Sequence, residues 1–270
     1  MNNTVKNILS VSQAIKSFDR PSVVEPFKVQ KINEYNGFRI EIANTVSKLL
    51  DASHLAYSCY LKKGFVLRSH FPFILNEWDI SGDSVCLVAY DDDNICVGTM
   101  TLVPDDNQLP VDITFNSELN LLREKGHHLC EFTRFVIDKE FRNQSEILVA
   151  LMDWAPLVAE FHFSSSDIII EVNPRHQTFY SKKLLFEIET GVKNCSLVNN
   201  APAVLLRLPI KTFHRFRGEY DSDSSSKRLL FHRYRSRDLN ELRKMKRYLF
   251  KESRKIQPLP ELRNKMKAFA

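Results

Sequence analysis

Apolar and polar positions change rhythm repeatedly along the chain. They alternate through FRIEIAN (38–44), the period of a half-buried strand. From 45 to 60 the apolar residues Val46, Leu49, Leu50, Leu55 and Ala56 recur at helical spacing. DSVCLVAY (83–90) and ICVGTMTLV (95–103) are strand-like runs joined by Asp91–Asn94, a hairpin signal. A short helix is expected over 115–125, stopping at Gly126, followed by a strand over 128–138. Asn143–Ser145 can cap a helix that runs to about Phe163. DIIIEVN (167–173) reads as a buried strand, Pro174 opens a helix reaching Leu185, and PAVLLRLP (202–209) is a last strand.

This order, β-α-β-β-α-β-α-β-α-β, predicts an α/β fold with one mixed sheet and helices on both faces. Residues 1–36 form a polar N-terminal segment with some helical periodicity, and 37–210 the main domain. EYDSDSSSKR (219–228) has the composition of a linker, and a basic helix is expected over 237–256, within an extension of 211–270.

Composition narrows the classes. Hydrophobic residues make up 43% and charged residues 26% of the 270 residues, as in ordinary globular proteins. The longest apolar stretch, 147–161, is interrupted by Asp153, Pro156 and Glu160 and is too short and polar to span a membrane. The N-terminus lacks the apolar run of a secretory signal, which points to the cytoplasm. Five widely spaced cysteines without CxxC or Cys/His spacing read as reduced, buried thiols, and no metal site is expected. Charge is uneven: residues 211–270 carry 18 Lys and Arg against 7 Asp and Glu, net +11, which leaves −6 for 1–210. The basic third has an electrostatic task of its own or is a solvated helix.

One strand poses a chemical question. HLCEFTRFVID (128–138) places Glu131 and Arg134 three residues apart, so a regular strand would send them to opposite faces. A β-bulge between them would bring both to one cleft and free a backbone N–H.

Three stretches together carry a resemblance: VGTMTLVPDDNQLPVDITFNSELNLLREKGHHLCEFTRF (97–135), EVNPRHQTFY (171–180) and NNAPAVLLRL (199–208). They resemble the FeeM-type N-acyl amino acid synthases, a branch of the GNAT acyltransferase fold related to the acyl-homoserine-lactone synthases. The resemblance implies a GNAT-like mixed sheet whose fourth and fifth strands splay apart to admit an acyl thioester. It implies acyl carrier protein as donor partner, through an acyl-phosphopantetheine arm, and an amino acid or related amine as acceptor, with no tightly bound cofactor. Glu131 is then the base for the incoming amine and Tyr180 the acid for the leaving thiolate. Thr133, Arg134, Phe135, Asn173 and His176 become substrate-binding residues. Arg134 would clamp a substrate carboxylate, orient Glu131 or form a structural pair, and His176 would orient Tyr180, bind substrate or pack the helix. Arg39 and Tyr57 are further cleft candidates.

The sequence also departs from the family. Coenzyme-A-using GNAT proteins place a glycine loop after the fourth strand, but no glycine lies between Gly126 and Gly191 here. A carrier-borne arm, with one phosphodiester, asks less of that loop, and Arg142, Asn143 and Ser145 remain to hold it. Leu185-Phe186 stands where the family usually has Gly-Phe. Arg233, Arg235, Arg237, Arg243, Lys244, Lys246 and Arg247 offer a docking face for an acidic carrier protein. The interleaved aromatics suit peripheral contact with an anionic membrane as second choice; nucleic acid ranks a distant third. Two other functions compete: an autoinducer-like synthase using S-adenosylmethionine, and a non-catalytic GNAT-like binding protein.

Overall fold

The computed structural model describes residues 33–106, 108–141, 145–212 and 239–256, with side chains of the last helix from 243 onward. A nine-stranded mixed sheet runs in the order β1-β2-β3-β4-β5-β6-β9-β7, with β8 paired to β9. Its strands are β1 (Glu34–Tyr35), β2 (Phe38–Ile42), β3 (Val85–Asp91), β4 (Cys96–Pro104), β5 (Leu129–Ile137), β6 (Asp167–Val172), β7 (Glu187–Ile188), β8 (Lys193–Cys195) and β9 (Ala201–Pro209). All pairings are antiparallel except β5 with β6.

The helices are α1 (Val46–Lys62), α2 (Glu77–Ser81), α3 (Asp112–Glu124), α4 (Ser145–Phe161), α5 (Gln177–Leu184) and α6 (Leu239–Ser253). Helix α1 is capped by Thr45, whose side chain accepts from Lys48 N. It turns Leu49, Ala52, Leu55, Ala56 and Cys59 inward. Helix α2, absent from the pattern reading because it is only one turn long, is fixed by a capping box between Asn76 and Asp79. Pro174 opens a short 3-10 turn (Pro174–His176) ahead of α5, so the helix expected from 174 is split in two.

Helix α4 is buried almost all round. A helix apolar on every side must be covered on every side, and α6 supplies the second cover. Met245 and Leu249 of α6 belong to the main core, and the Tyr248 ring meets Trp154 edge-on, 5.4 Å between centroids. Asn44, beyond β2, donates to Glu252 of α6 at 2.8 Å. The basic helix is therefore docked through an apolar stripe and keeps Arg243, Lys244, Lys246 and Arg247 exposed. Residues 1–32 and the proposed linker lie outside the described residues.

Candidate active site

The placement of Glu131 and Arg134 on β5 is explained by its register. Thr101 of β4 pairs with Thr133, yet Thr99 pairs with Val136, so three steps on β5 oppose two on β4. The extra residue falls at Arg134–Phe135, and Arg134 takes a left-handed backbone, φ 50. Before the bulge Glu131 faces with Val103 and Thr133 with Thr101; after it Val136 faces with Thr99. Arg134 turns to that same face, where it meets α2. Phe132 and Phe135 point the other way, into the core beneath α4.

A second break lies on the other edge of β5. Its parallel pairing with β6 covers only Leu129, Cys130 and Glu131. Both strands continue, β5 to Ile137 and β6 to Val172, without pairing to each other. The sheet opens at Glu131. A cavity of about 380 Å³ fills the gap, within the range of small-molecule sites. Its wall takes Glu131, Thr133, Arg134 and Phe135 from β5, and Ile170, Glu171 and Val172 from β6. Asn173, His176 and Tyr180 follow from the next turn and helix, Met152 from α4, and Tyr60, Lys63 and Phe65 from the end of α1 and beyond. The structure thus brings Glu131, Thr133, Arg134, Phe135, Asn173, His176 and Tyr180 to one cavity.

Glu131 is buried, 3% exposed. Its Oε2 accepts from Val111 N at 2.8 Å, at the entrance to α3. Asp112 fixes that entrance: its Oδ2 accepts from Leu109 N at 2.6 Å and from Arg123 Nη2 at 2.6 Å. Burial pushes the Glu131 carboxyl up to about 8, with the charge of Glu171 adding to it, while the Val111 N–H, Arg134 and Thr133 pull the other way. Its proton affinity thus approaches that of an ordinary α-amino group.

Arg134 is committed. Its guanidinium forks onto both carboxylate oxygens of Asp79 and also donates to the Ile74 carbonyl at 3.2 Å. The structural pairing is therefore present, and its Nε, buried, is left without a hydrogen-bond partner. Tyr180 packs edge-on against Phe179 and Phe186, 5.4 and 5.8 Å between centroids. Burial holds its hydroxyl well above the usual phenol range, so it stays protonated and able to donate. His176 is exposed at the rim and accepts from Arg175 Nε at 3.1 Å; partial burial, then the neighbouring Arg175 and Lys63, lower its proton affinity. Asn173 caps the 3-10 turn by accepting from Arg175 N at 3.3 Å and donates to the Pro202 carbonyl at 3.2 Å.

Other expected residues lie elsewhere. Arg39 pairs with Glu41 and Asn94 at the β2 edge, away from the cavity. Tyr57 accepts from Ser69 N at 2.7 Å and holds the loop after α1. Ser145 is exposed in the first turn of α4, while Arg142 and Asn143 lie outside the described residues, as do Arg233, Arg235 and Arg237. None of the five cysteines forms a disulfide; Cys130, buried beside Glu131, has its thiol pushed far up by burial and then by that carboxylate, which makes it a poor nucleophile. Leu185 occupies a left-handed position, φ 62, at the end of α5, where the family's glycine would carry no strain.

Two cavity residues were missed from sequence. Tyr60 is raised to about 12 by burial, with Arg134 lowering it and Glu171 and Glu131 raising it. Glu171 sits in an apolar strand as Glu131 does, and that repetition was the available signal.

A mixed sheet that opens beside a buried acid, over a cavity backed by a protonated tyrosine, defines a GNAT-type N-acyltransferase. The family can be stated more closely. A model described as N-acyl amino acid synthase FeeM matches residues 51–209, more than half of the chain, and the chain belongs to that family. Among solved structures, FeeM, an N-acyl amino acid synthase from uncultured soil microbes, is 21% identical with a TM-score of 0.57, covering 66% of this chain and 94% of its own. TofI, solved in a ternary complex with an inhibitor and MTA, is 13% identical with a TM-score of 0.50, covering 65% of this chain and 92% of its own. At these identities the two structures show a shared fold. No curated protein matches the sequence.

Proposed function

We propose that this N-acyltransferase moves a long-chain fatty acyl group from the phosphopantetheine arm of acyl carrier protein to the amine of an amino acid. The observation that carries the reading is a buried carboxylate of raised proton affinity at the point where β5 and β6 part, inside a cavity of about 380 Å³.

The acceptor enters as an ammonium ion and gives one proton to the ionised form of Glu131, whose raised proton affinity matches that of an amine. The neutral nitrogen attacks the thioester carbon, and a C–N bond forms. Beyond Glu131, the backbone N–H groups on the open edge of β5 have no strand partner in β6, which suits them to the developing oxyanion. The C–S bond then breaks. Tyr180 gives its proton to the thiolate and regains the one shed by the new amide nitrogen. Thr133, Phe135, Asn173 and His176 line the substrate, and the leftover Nε–H of Arg134 donates to it in place of the fork that Asp79 occupies. Ser145 and the first turn of α4 hold the single phosphate. The exposed basic face of α6 attracts the acidic carrier, and the enzyme acts in the cytoplasm, with peripheral membrane contact for its lipid product.

Purified enzyme, palmitoyl-acyl carrier protein and the twenty standard amino acids test this. Wild type should form N-palmitoyl amino acid faster than with palmitoyl-coenzyme A. Glu131→Gln should reduce the rate about 100-fold or more while keeping its fold. Equal rates in the two proteins would end the proposal.

A further inference from the structure

The role of Glu171 rests on the same reading but goes past it. Glu131 is the register partner of Ile169. Two residues on along β6, Glu171 returns to that face, across the open gap from Thr133. The cavity therefore holds a carboxylate on each of its two parted strands. Arg134, the cation on the same strand, is already neutralised by Asp79. Lys63 and His176 stand exposed at the rim. When both are ionised, a buried carboxylate facing a half-buried one across the gap is compensated by a cation held between them, and the substrate of this reaction arrives as one.

We propose that Glu171 is a second carboxylate of the acceptor site. The acceptor binds as an ammonium ion bridged by Glu131 and Glu171, hands one proton to Glu131, and remains hydrogen-bonded to Glu171 while its lone pair attacks. Burial raises the proton affinity of Glu171, and the neighbouring Cys195 of β8 and Thr114 of α3 pull it down. A primary or secondary ammonium carries the two N–H groups that the bridge needs and keeps at least one on Glu171 after the transfer; a tertiary ammonium carries one and is excluded. The charged and titratable groups facing the pair are Tyr60 of α1, Arg134 of β5 and Cys195 of β8, with Lys63, His176 and Tyr180 on the same wall.

Two measurements test this. In the transfer assay, Glu171→Gln should raise the KM for the best amino acid about tenfold and leave the KM for palmitoyl-acyl carrier protein unchanged. It should also move the acidic limb of the pH–rate profile to lower pH, because Glu131 loses a like-charged neighbour. An unmoved limb and unchanged acceptor KM would overturn the proposal. The second measurement needs no donor. Melting temperatures are recorded with each free amino acid and its N-acetyl counterpart, for wild type, Glu171→Gln and Glu171→Asp. A free amine should stabilise wild type and, more weakly, Glu171→Asp, but not Glu171→Gln; N-acetyl forms should do nothing. A wild type indifferent to every amine, or a Glu171→Gln protein that responds like it, would contradict the assignment. If amines stabilise wild type selectively while palmitoyl-acyl carrier protein yields no product, the carrier-protein reading fails and the role of Glu171 stands.

Discussion

At the scale of single residues, the molecule concentrates its unusual electrostatics around one carboxyl. Glu131 sits well above its unfolded value, so the folded state holds a proton that the unfolded chain releases. Its contribution to stability is full below about pH 4.5, the ordinary glutamate value, and is lost as pH rises through about 8. Wild type should therefore lose stability across that window, and Glu131→Gln should flatten the slope; denaturant titrations at pH 5, 7 and 9 measure it. Arg134 predicts the opposite kind of effect. Truncating it to Ala leaves Asp79 charged and buried, at a cost of about 3–5 kcal/mol, measurable by the same titrations, with Asp79→Asn partly restoring the Arg134→Ala protein. The importance of Glu131 and Arg134 was legible, because an acid and a base in an apolar strand conflict with burial unless something unusual receives them. Asp79 was not, since it lies 55 residues away in a one-turn helix with no periodicity to announce it.

Elements decide whether those residues meet. The spacing of Glu131 and Arg134 raised the question of a bulge in β5, and the family resemblance, by supplying a cleft for both to face, gave the reason to expect one. The end of the β5–β6 pairing at Glu131 depends on tertiary packing and entered only through family resemblance. Gly98, part of the VGT run, shows why that motif is small: a Cβ there would stand 2.9 Å from Ile147 and 3.3 Å from Ala89. Gly98→Ala must push α4 from the sheet, and a loss of about 1–3 kcal/mol is expected in chemical denaturation. Leu185 shows the converse, a side chain kept at a left-handed helix end because it packs against the main core. Of the two cavity tyrosines, Tyr180→Phe should slow thioester cleavage about 100-fold, and Tyr60→Phe much less, if the acid lies on α5; reversed effects would move the role to α1.

For the whole molecule, the sequence suggested an acidic main domain with a basic appendage, and helix α6 of that appendage packs Met245 and Leu249 into the main core. The linker between them hides that relation from any pattern reading, because only packing shows which face of α4 the helix covers. Deleting the extension would uncover the core surface that Met245 and Leu249 bury, so charge reversal is the cleaner probe of docking. Arg243→Glu with Lys244→Glu and Arg247→Glu should keep the melting temperature, weaken carrier-protein association and flatten its dependence on salt; an unchanged salt slope would remove α6 from the docking surface. Among the described residues no helix is long and apolar enough to cross a membrane.

The most direct test of the account is mass spectrometry of lipid extracts from cells expressing wild type or Glu131→Gln at equal levels. Wild type should accumulate fatty acyl amides of an amino acid that are absent, or reduced about 100-fold, with the variant. The same amides at equal abundance from both proteins would contradict a mechanism built on the carboxylate where the sheet opens.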